Sequence, residues 1–74
     1  MITDKILSRI RSKRQSLNYS QEYVASLLKI SQGSYNKIEN GTTELTVNTL
    51  FEIFDILDID NSELAQLKMN AGYK

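Results

Sequence analysis

The chain has 74 residues, 41% of them hydrophobic, and its nine basic and nine acidic residues leave no net charge at neutral pH. This length allows a single domain with one modest core. The chain contains neither Cys nor His, which excludes disulfides, thiolate nucleophiles and the usual zinc ligands and argues against an enzyme.

The chain shows no targeting pattern. Its apolar runs are far shorter than the roughly 20 residues that cross a bilayer, and residues 1–5 lack the pattern of a signal peptide. We therefore expect a cytoplasmic protein with no membrane partner. Since the chain has neither Cys nor His, we also expect no metal, and we expect no cofactor and no small-molecule ligand.

Charge is divided between the two halves of the chain. Residues 1–37 contain seven basic and two acidic residues, whereas residues 38–74 contain two basic and seven acidic ones. This division is typical of a protein whose basic half faces phosphates and whose acidic half turns away from nucleic acid. An ordinary solvated surface would explain it about equally well.

Apolar residues recur at helical spacing along the whole chain, which predicts an all-α fold. The predicted helices are 3–17, 20–28, 32–39, 47–57 and 63–69. Ser20, Ser31 and Thr46 are the expected N-caps, and Asn18 and Gly41 suit the left-handed positions at which helices end. Residues 1–70 are expected to form one domain, and residues 71–74 a frayed tail.

The predicted core follows from the same periodicity. It consists of the residues that fall on the apolar side of each helix or in the turn between two helices. These residues are Ile6, Ile10, Leu17, Val24, Leu27, Leu28, Ile30, Tyr35, Ile38, Val47, Leu50, Ile53, Phe54, Leu57, Ile59, Leu64 and Leu67.

The segment 20–41 is the most informative part of the sequence. It predicts two short helices joined by a tight turn, and the second helix opens with polar side chains that can read bases. This arrangement is typical of a helix-turn-helix.

Several short segments, in this order and spacing, resemble the Cro/C1-type (XRE-type) helix-turn-helix repressors of phages and bacteria. The resemblance spans roughly residues 6–67. It is carried by Arg11–Arg14, Ser20–Gln21, Val24–Ala25, Ile30–Gln32 and Ile38–Gly41. It implies a five-helix, lambda-repressor-like domain with the helix-turn-helix at helices 2 and 3, which docks as a dimer on a two-fold DNA site.

The chain departs from the family pattern at four positions. Lys29 stands where the family often has Gly, so the turn either avoids a positive φ or tolerates it. Gly33 stands early in the recognition helix, and Phe54 and Ile56 are bulkier than the Ala common there.

The expected base contacts lie on the third helix, at Gln32, Gly33, Asn36 and Lys37. A Gln or Asn amide can pair with two atoms of adenine. Lys37 can reach either a guanine or a phosphate. Gly33 has no side chain to offer, but it would allow close approach to DNA.

The expected phosphate contacts surround this helix. They are Gln21, Arg11, Lys13, Ser31, Ser34, Asn40 and Thr42. Gln21 opens the second helix, where free N–H groups and the helix dipole favour a phosphate, and the resemblance implies a contact there too. Ser31 is equally well explained as a cap alone, and Arg11 and Lys13 as surface charges.

Two further groups have structural roles. The resemblance implies a partly buried ion pair between Arg14 and Glu39. The apolar residues in excess of one core, Phe51 and Ile56 on helix 4 with Leu67 and Met69 on helix 5, are the expected dimer interface, although a packed monomer remains the alternative.

Two classes of function follow from the sequence. The first is a sequence-specific DNA-binding transcriptional regulator, a repressor or autoregulator, which could be a phage-type repressor, a controller of a restriction–modification operon or an antitoxin. The second is a protein-interaction module that uses the surface of helices 4 and 5. The polar residues of helix 3 favour the first.

Overall fold

The computed structural model describes residues 2–63, and the side chains of residues 4–63. It contains four helices: α1 Ile2–Ser16, α2 Gln21–Leu28, α3 Gln32–Glu39 and α4 Val47–Ile56. No strand occurs within residues 2–63, so the predicted all-α class is confirmed. Beyond its first residue, Glu63, the predicted fifth helix lies outside the described residues, as do the end of the predicted domain at residue 70 and the tail 71–74, so the five-helix count stays a prediction.

Three helices begin at the predicted N-caps. The side-chain oxygens of Ser20, Ser31 and Thr46 each accept a hydrogen bond from the backbone N–H three residues further along. These bonds satisfy donors that have no partner inside the helix. The caps set where α2, α3 and α4 begin, and they follow directly from the sequence.

All four helices end in the same way. A residue one or two positions after the end of each helix takes a left-handed conformation, and the residue that follows it donates its N–H to a carbonyl five residues earlier. This is a Schellman motif. The left-handed residues are Asn18, Lys29, Gly41 and Asp58, with φ of 61°, 62°, 81° and 57°.

Lys29 is the unfavourable member of this series. Glycine adopts a left-handed conformation without strain, and Asn and Asp tolerate it, but a Lys side chain offers no compensation. The backbone N–H groups of Lys29 and Ile30 nevertheless bond to Ser26 and Ala25 in the standard pattern. The turn between α2 and α3 therefore accepts the strain and keeps its geometry.

The core lies where the four helices meet. Its buried apolar residues are Ile6, Leu7, Ile10, Val24, Ala25, Tyr35, Ile38, Leu50, Ile53, Phe54, Leu57 and Ile59. Most were predicted from helical spacing, and Leu7 and Ala25 are additions. Leu17, Leu28 and Ile56 are half-buried and pack against this cluster. Leu64 and Leu67 lie outside the described residues.

Three predicted core residues are exposed instead. Leu27, Ile30 and Val47 have exposed fractions of 47%, 36% and 63%. Leu27 lies about 110° around α2 from the direction of Val24 and Ala25, as the turn of 100° per residue requires. Val47 is the first residue of α4, and Cα–Cβ bonds tilt towards the N terminus, which carries its side chain beyond the packed turns. Ile30 follows the left-handed residue and lies at the protein surface.

We expect Lys29→Gly to raise the free energy of unfolding by about 0.5–1 kcal/mol. The substitution removes a left-handed penalty of about 1–2 kcal/mol and adds an unfolded-state entropy penalty of about 0.5–1 kcal/mol. Urea unfolding would measure the difference. Lys29→Ala is the matched control, because it removes the charged chain but keeps Cβ. Equal stability of the two variants would contradict strain at this turn.

Candidate nucleic-acid interface

One face of α3 is polar and fully presented to solvent. Gln32, Gly33, Asn36 and Lys37 are all exposed, whereas Tyr35, Ile38 and Glu39 on the other side are buried. Residues four apart are neighbours on a helix, so Gln32 lies beside Asn36 and Gly33 beside Lys37. The structure thus brings all four predicted base-contacting residues to one surface.

Neither packing nor backbone conformation within the described chain requires glycine at position 33. A Cβ placed there would meet nothing within 4 Å, and Gly inside a helix costs about 1 kcal/mol relative to Ala. Gly41 is different, because its φ is +81° and a Cβ would lie 3.3 Å from Leu7 Cδ1. The fold therefore accounts for glycine at position 41 but not at position 33.

The hydroxyls at the start of α3 already bond to each other. Ser31 Oγ accepts from the backbone N–H of Ser34 at 3.1 Å and donates to Ser34 Oγ at 2.9 Å. At the other end, Thr42 Oγ1 donates to Asn40 Oδ1 at 2.9 Å. These four predicted phosphate-contacting residues are exposed and are ordered by local bonds at the two ends of the polar face.

A buried ion pair joins α1 to the end of α3. Arg14 Nε donates to Glu39 Oε2 at 2.6 Å and Arg14 Nη2 to Glu39 Oε1 at 3.2 Å. Arg14 Nη1 also donates to the carbonyl of Tyr19, in the connection before α2, at 2.9 Å. Glu39 is only 1% exposed. Removing one partner of such a pair costs about 3–5 kcal/mol, because the other charge stays buried and unpaired.

Gln21 connects this ion pair to the polar face of α3. Its Nε2 donates to Glu39 Oε1 at 3.1 Å and to Asn36 Oδ1 at 3.2 Å. Gln21 is half-buried and opens α2. The sequence suggested only a phosphate contact for Gln21. Its bond to Asn36, fifteen residues away, depends on how α2 and α3 are placed.

Burial and hydrogen bonding oppose each other at Glu39. Burial disfavours the ionised carboxyl, but the bonds from Arg14 and Gln21 outweigh it, so the pKa of Glu39 lies below its usual value. Burial, with the adjacent Glu39, raises the pKa of the Tyr35 phenol. The Tyr35 hydroxyl is close enough to the pair for this effect, yet it has no hydrogen-bond partner of acceptable geometry in the described chain.

A helix-turn-helix family model matches residues 10–64, which include α2, α3 and most of the residues that position them. The chain belongs to the XRE-type helix-turn-helix family. This is a family of DNA-binding transcriptional regulators, and its characteristic pair of helices is α2 and α3.

One relative is the cryptic phage CTXphi transcriptional repressor RstR of Vibrio cholerae serotype O1. It is 37% identical over 60 residues, which is 81% of this chain and 54% of the repressor. The chain therefore spans about half the length of this curated relative. No solved structure matches the chain significantly.

Two basic residues of α1, Arg11 and Lys13, have different surroundings. Arg11 Nη1 donates to the carbonyl oxygen of Glu39 at 2.6 Å, so Arg11 binds the C-terminal end of α3, and its phosphate contact stays a prediction. The helix dipole favours a cation there. Lys13 is half-buried and forms no ion pair within residues 4–63. Its phosphate contact also stays a prediction.

A second ion pair was not predicted. Arg9 Nε lies 2.8 Å from Glu63 Oε1, and Arg9 Nη2 lies 3.1 Å from Glu63 Oε2. Its hydrogen bonds lower the pKa of Glu63 and raise that of Arg9. About a third of each side chain is exposed, so solvent screens this pair strongly. No local signal indicates it, since 54 residues separate the partners.

The structure describes half of the predicted dimer interface. Phe51 is 42% exposed on α4, whereas Ile56 is half-buried and packs against the core. Leu67 and Met69 lie outside the described residues. Tyr23, Leu27 and Val47 are further exposed apolar side chains.

The described part of the chain lacks two other kinds of site. Across those residues, no cluster of acidic side chains could hold a metal ion. No helix there has the length and apolar character needed to cross a membrane.

We expect Glu39 to make stability depend on pH in acid. Its pKa is lower folded than unfolded, so its contribution is present above the unfolded value of about 4.3 and disappears as pH falls through the lower folded value. In Glu39→Gln, the loss of unfolding free energy between pH 6 and pH 3 should be clearly smaller than in the original chain. Urea titrations across that range would measure this.

Glu63→Gln is the control, because it removes a carboxyl of lowered pKa from an exposed pair. Its pH dependence should stay closer to that of the original chain. An unchanged acid slope in Glu39→Gln would show that the buried pair does not carry this effect.

Proposed function

We propose that this protein is a sequence-specific double-stranded-DNA-binding transcriptional regulator that places α3 in the major groove. The observation that carries the proposal is the polar face of α3, where Gln32, Asn36 and Lys37 are exposed together beside a glycine. A major groove admits an α-helix, and amide and ammonium groups pair with base edges there. The transcriptional repressor among the relatives favours a repressor or autoregulator over an activator.

The roles of individual residues follow from their positions. Gln32 pairs with adenine from the start of α3, and Lys37 reaches a guanine or a phosphate one turn further along. Gly33 lets the backbone of α3 approach the bases closely. Ser31, Ser34, Asn40 and Thr42 donate to phosphates at the two ends of the helix, and Lys13 neutralises a phosphate from α1. Phosphate contacts set the position of the domain and base contacts set sequence preference.

The ion pair of Arg14 and Glu39 acts indirectly in this function. It joins α1 to α3, and through Tyr19 and Gln21 it also contacts the start of α2. The helix-turn-helix is thereby presented as one rigid unit. We assign both residues a positioning role and no contact with DNA.

We further propose that the regulator acts as a homodimer on a two-fold operator. One α3 supplies only a few discriminating contacts, each worth about 1–3 kcal/mol. A second copy on a half-site one helical turn away roughly doubles that discrimination. Exposed Phe51 supports an interface on α4, and Ile56, Leu67 and Met69 would complete it.

We also propose that residues 1–70 form a single cytoplasmic DNA-binding domain, and that the protein is a binding module without enzymatic activity, cofactor or small-molecule ligand. The exposed apolar side chains of α2 and α4, such as Leu27 and Val47, favour a second candidate: a module that binds another protein, for example an antitoxin. The polar face of α3 has no evident use in that alternative.

Selection of bound sequences from random duplex DNA, followed by a salt titration, tests the leading function. We expect a two-fold-symmetric consensus and a steep loss of affinity with salt. Gln32→Ala should relax the preference at one position of each half-site, since it removes a base contact. Lys13→Ala should weaken binding to all sequences alike and make the salt dependence shallower. Absence of any consensus would reject sequence-specific binding.

Dimerisation is tested by Phe51→Ser in sedimentation experiments across a range of concentrations. The substitution should raise the dimer dissociation constant by about tenfold or more, because a large apolar contact is lost. Leu27→Ser is the matched control, since Leu27 is equally exposed on a different helix, and it should leave association unchanged. A monomer at all concentrations, or equal effects of the two variants, would contradict this interface.

A further inference from the structure

The two hydrogens of one amide group connect the buried ion pair to the surface of α3. Gln21 Nε2 lies 3.1 Å from Glu39 Oε1 and 3.2 Å from Asn36 Oδ1. Both distances are within hydrogen-bond range. The bonded chain therefore runs from Arg14 through Glu39 and Gln21 to Asn36.

The chemistry of the groups sets the direction of every bond in this chain. An ionised carboxylate can only accept hydrogen bonds, and the pairing with Arg14 favours the ionised form of Glu39. Gln21 must therefore turn its NH₂ group, and not its oxygen, towards Glu39. Because that same NH₂ group also faces Asn36, Asn36 must offer its oxygen in return.

The consequence is a polarised amide on the exposed face of α3. With Oδ1 of Asn36 held against Gln21, its Nδ2 group lies on the opposite side of the amide. This NH₂ group has no partner among residues 4–63, and Asn36 is exposed. A free Asn amide can rotate to present a donor and an acceptor together, but Gln21 opposes that rotation here.

Base edges distinguish an amide that offers both a donor and an acceptor from one that offers only N–H groups. In the major groove, adenine offers one acceptor and one donor, so pairing with both atoms requires the oxygen of the amide as well as its nitrogen. Guanine offers two acceptors, N7 and O6, thymine offers one acceptor, O4, beside its methyl group, and cytosine offers a donor. An amide that presents only N–H groups therefore matches guanine best, because guanine alone offers it two acceptors.

We propose that Gln21 is a specificity-determining residue, which holds the amide of Asn36 with its oxygen inward so that Asn36 selects guanine. This inference rests on the proposed DNA-binding function and adds to it the base read at one position. Gln32 differs, because its amide has no hydrogen-bond partner in the described chain and can turn to meet adenine.

The test is sequence selection with the full chain and matched variants. Asn36→Ala first identifies the position in each half-site that Asn36 reads, as the one whose preference disappears. At that position the original chain should prefer guanine over adenine by about tenfold. Gln32→Ala is the control, since it should alter a different position and leave the guanine preference intact.

Two substitutions then separate orientation from simple contact. Asn36→Asp keeps an oxygen for Gln21 but presents a carboxylate to the groove, so the guanine preference should be lost and cytosine enriched. Gln21→Met removes the restraint on Asn36, so adenine should become about as frequent as guanine. Thermal unfolding followed by circular dichroism shows that each variant is folded, and Asn36 is exposed, so Asn36→Asp retains the core.

Several results would overturn the inference. Adenine at the Asn36 position in the original chain, an unchanged guanine preference in Asn36→Asp or Gln21→Met, or no position altered by Asn36→Ala would each reject it. These results leave the DNA-binding function standing if a two-fold consensus is still selected. Absence of any consensus rejects the function and the inference together.

Discussion

The ion pair of Arg14 and Glu39 is the interaction on which the arrangement of the other elements depends. Within residues 4–63, Glu39 is the one charged side chain that is fully buried. A buried ion pair often adds little net stability compared with well-packed apolar residues, because both charges lose their hydration. Its value here is geometric. Arg14 bonds to α3 through Glu39 and to the chain before α2 through the Tyr19 carbonyl, and Glu39 in turn bonds to Gln21 at the start of α2. Three helices are thereby held at one point directly beneath the polar face of α3.

That geometry explains how so small a domain can present a rigid reading surface. The helices α2 and α3 have only eight residues each, and isolated helices of this length are unstable in water. Side-chain caps at their starts and Schellman motifs at their ends define their lengths, while burial of Tyr35 and Ile38 holds α3 against the core. The face opposite this packed side carries exposed polar side chains and Gly33, and of these Asn36 bonds to Gln21 of α2.

In the folded domain, basic residues from the first half of the chain bind acidic residues and a carbonyl from the second half. The basic half and the acidic half of the chain are joined by contacts within the domain. Arg9 pairs with Glu63, Arg14 with Glu39, and Arg11 binds the carbonyl of Glu39. The cations that remain for phosphates are therefore mainly lysines, which suits flexible, sequence-independent contacts, whereas the arginines perform the fixed, directional bonding that a planar guanidinium favours.

The sequence by itself determined every feature that depends on a few neighbouring residues. The N-caps at Ser20, Ser31 and Thr46, the stops at Asn18 and Gly41, the bounds of α3 and its division into a buried and a polar face all follow from local hydrogen bonding and from 3.6-residue periodicity. The Arg14–Glu39 pair came from family resemblance and not from spacing. The tertiary structure alone decided that Arg9 pairs with Glu63, that Arg11 binds the end of α3, and that Gln21 bonds to Asn36. The physical reason is that these contacts depend on distances and angles between helices. The residues that form them are 15 to 54 positions apart, and contacts at such separations produce no periodic pattern in the sequence.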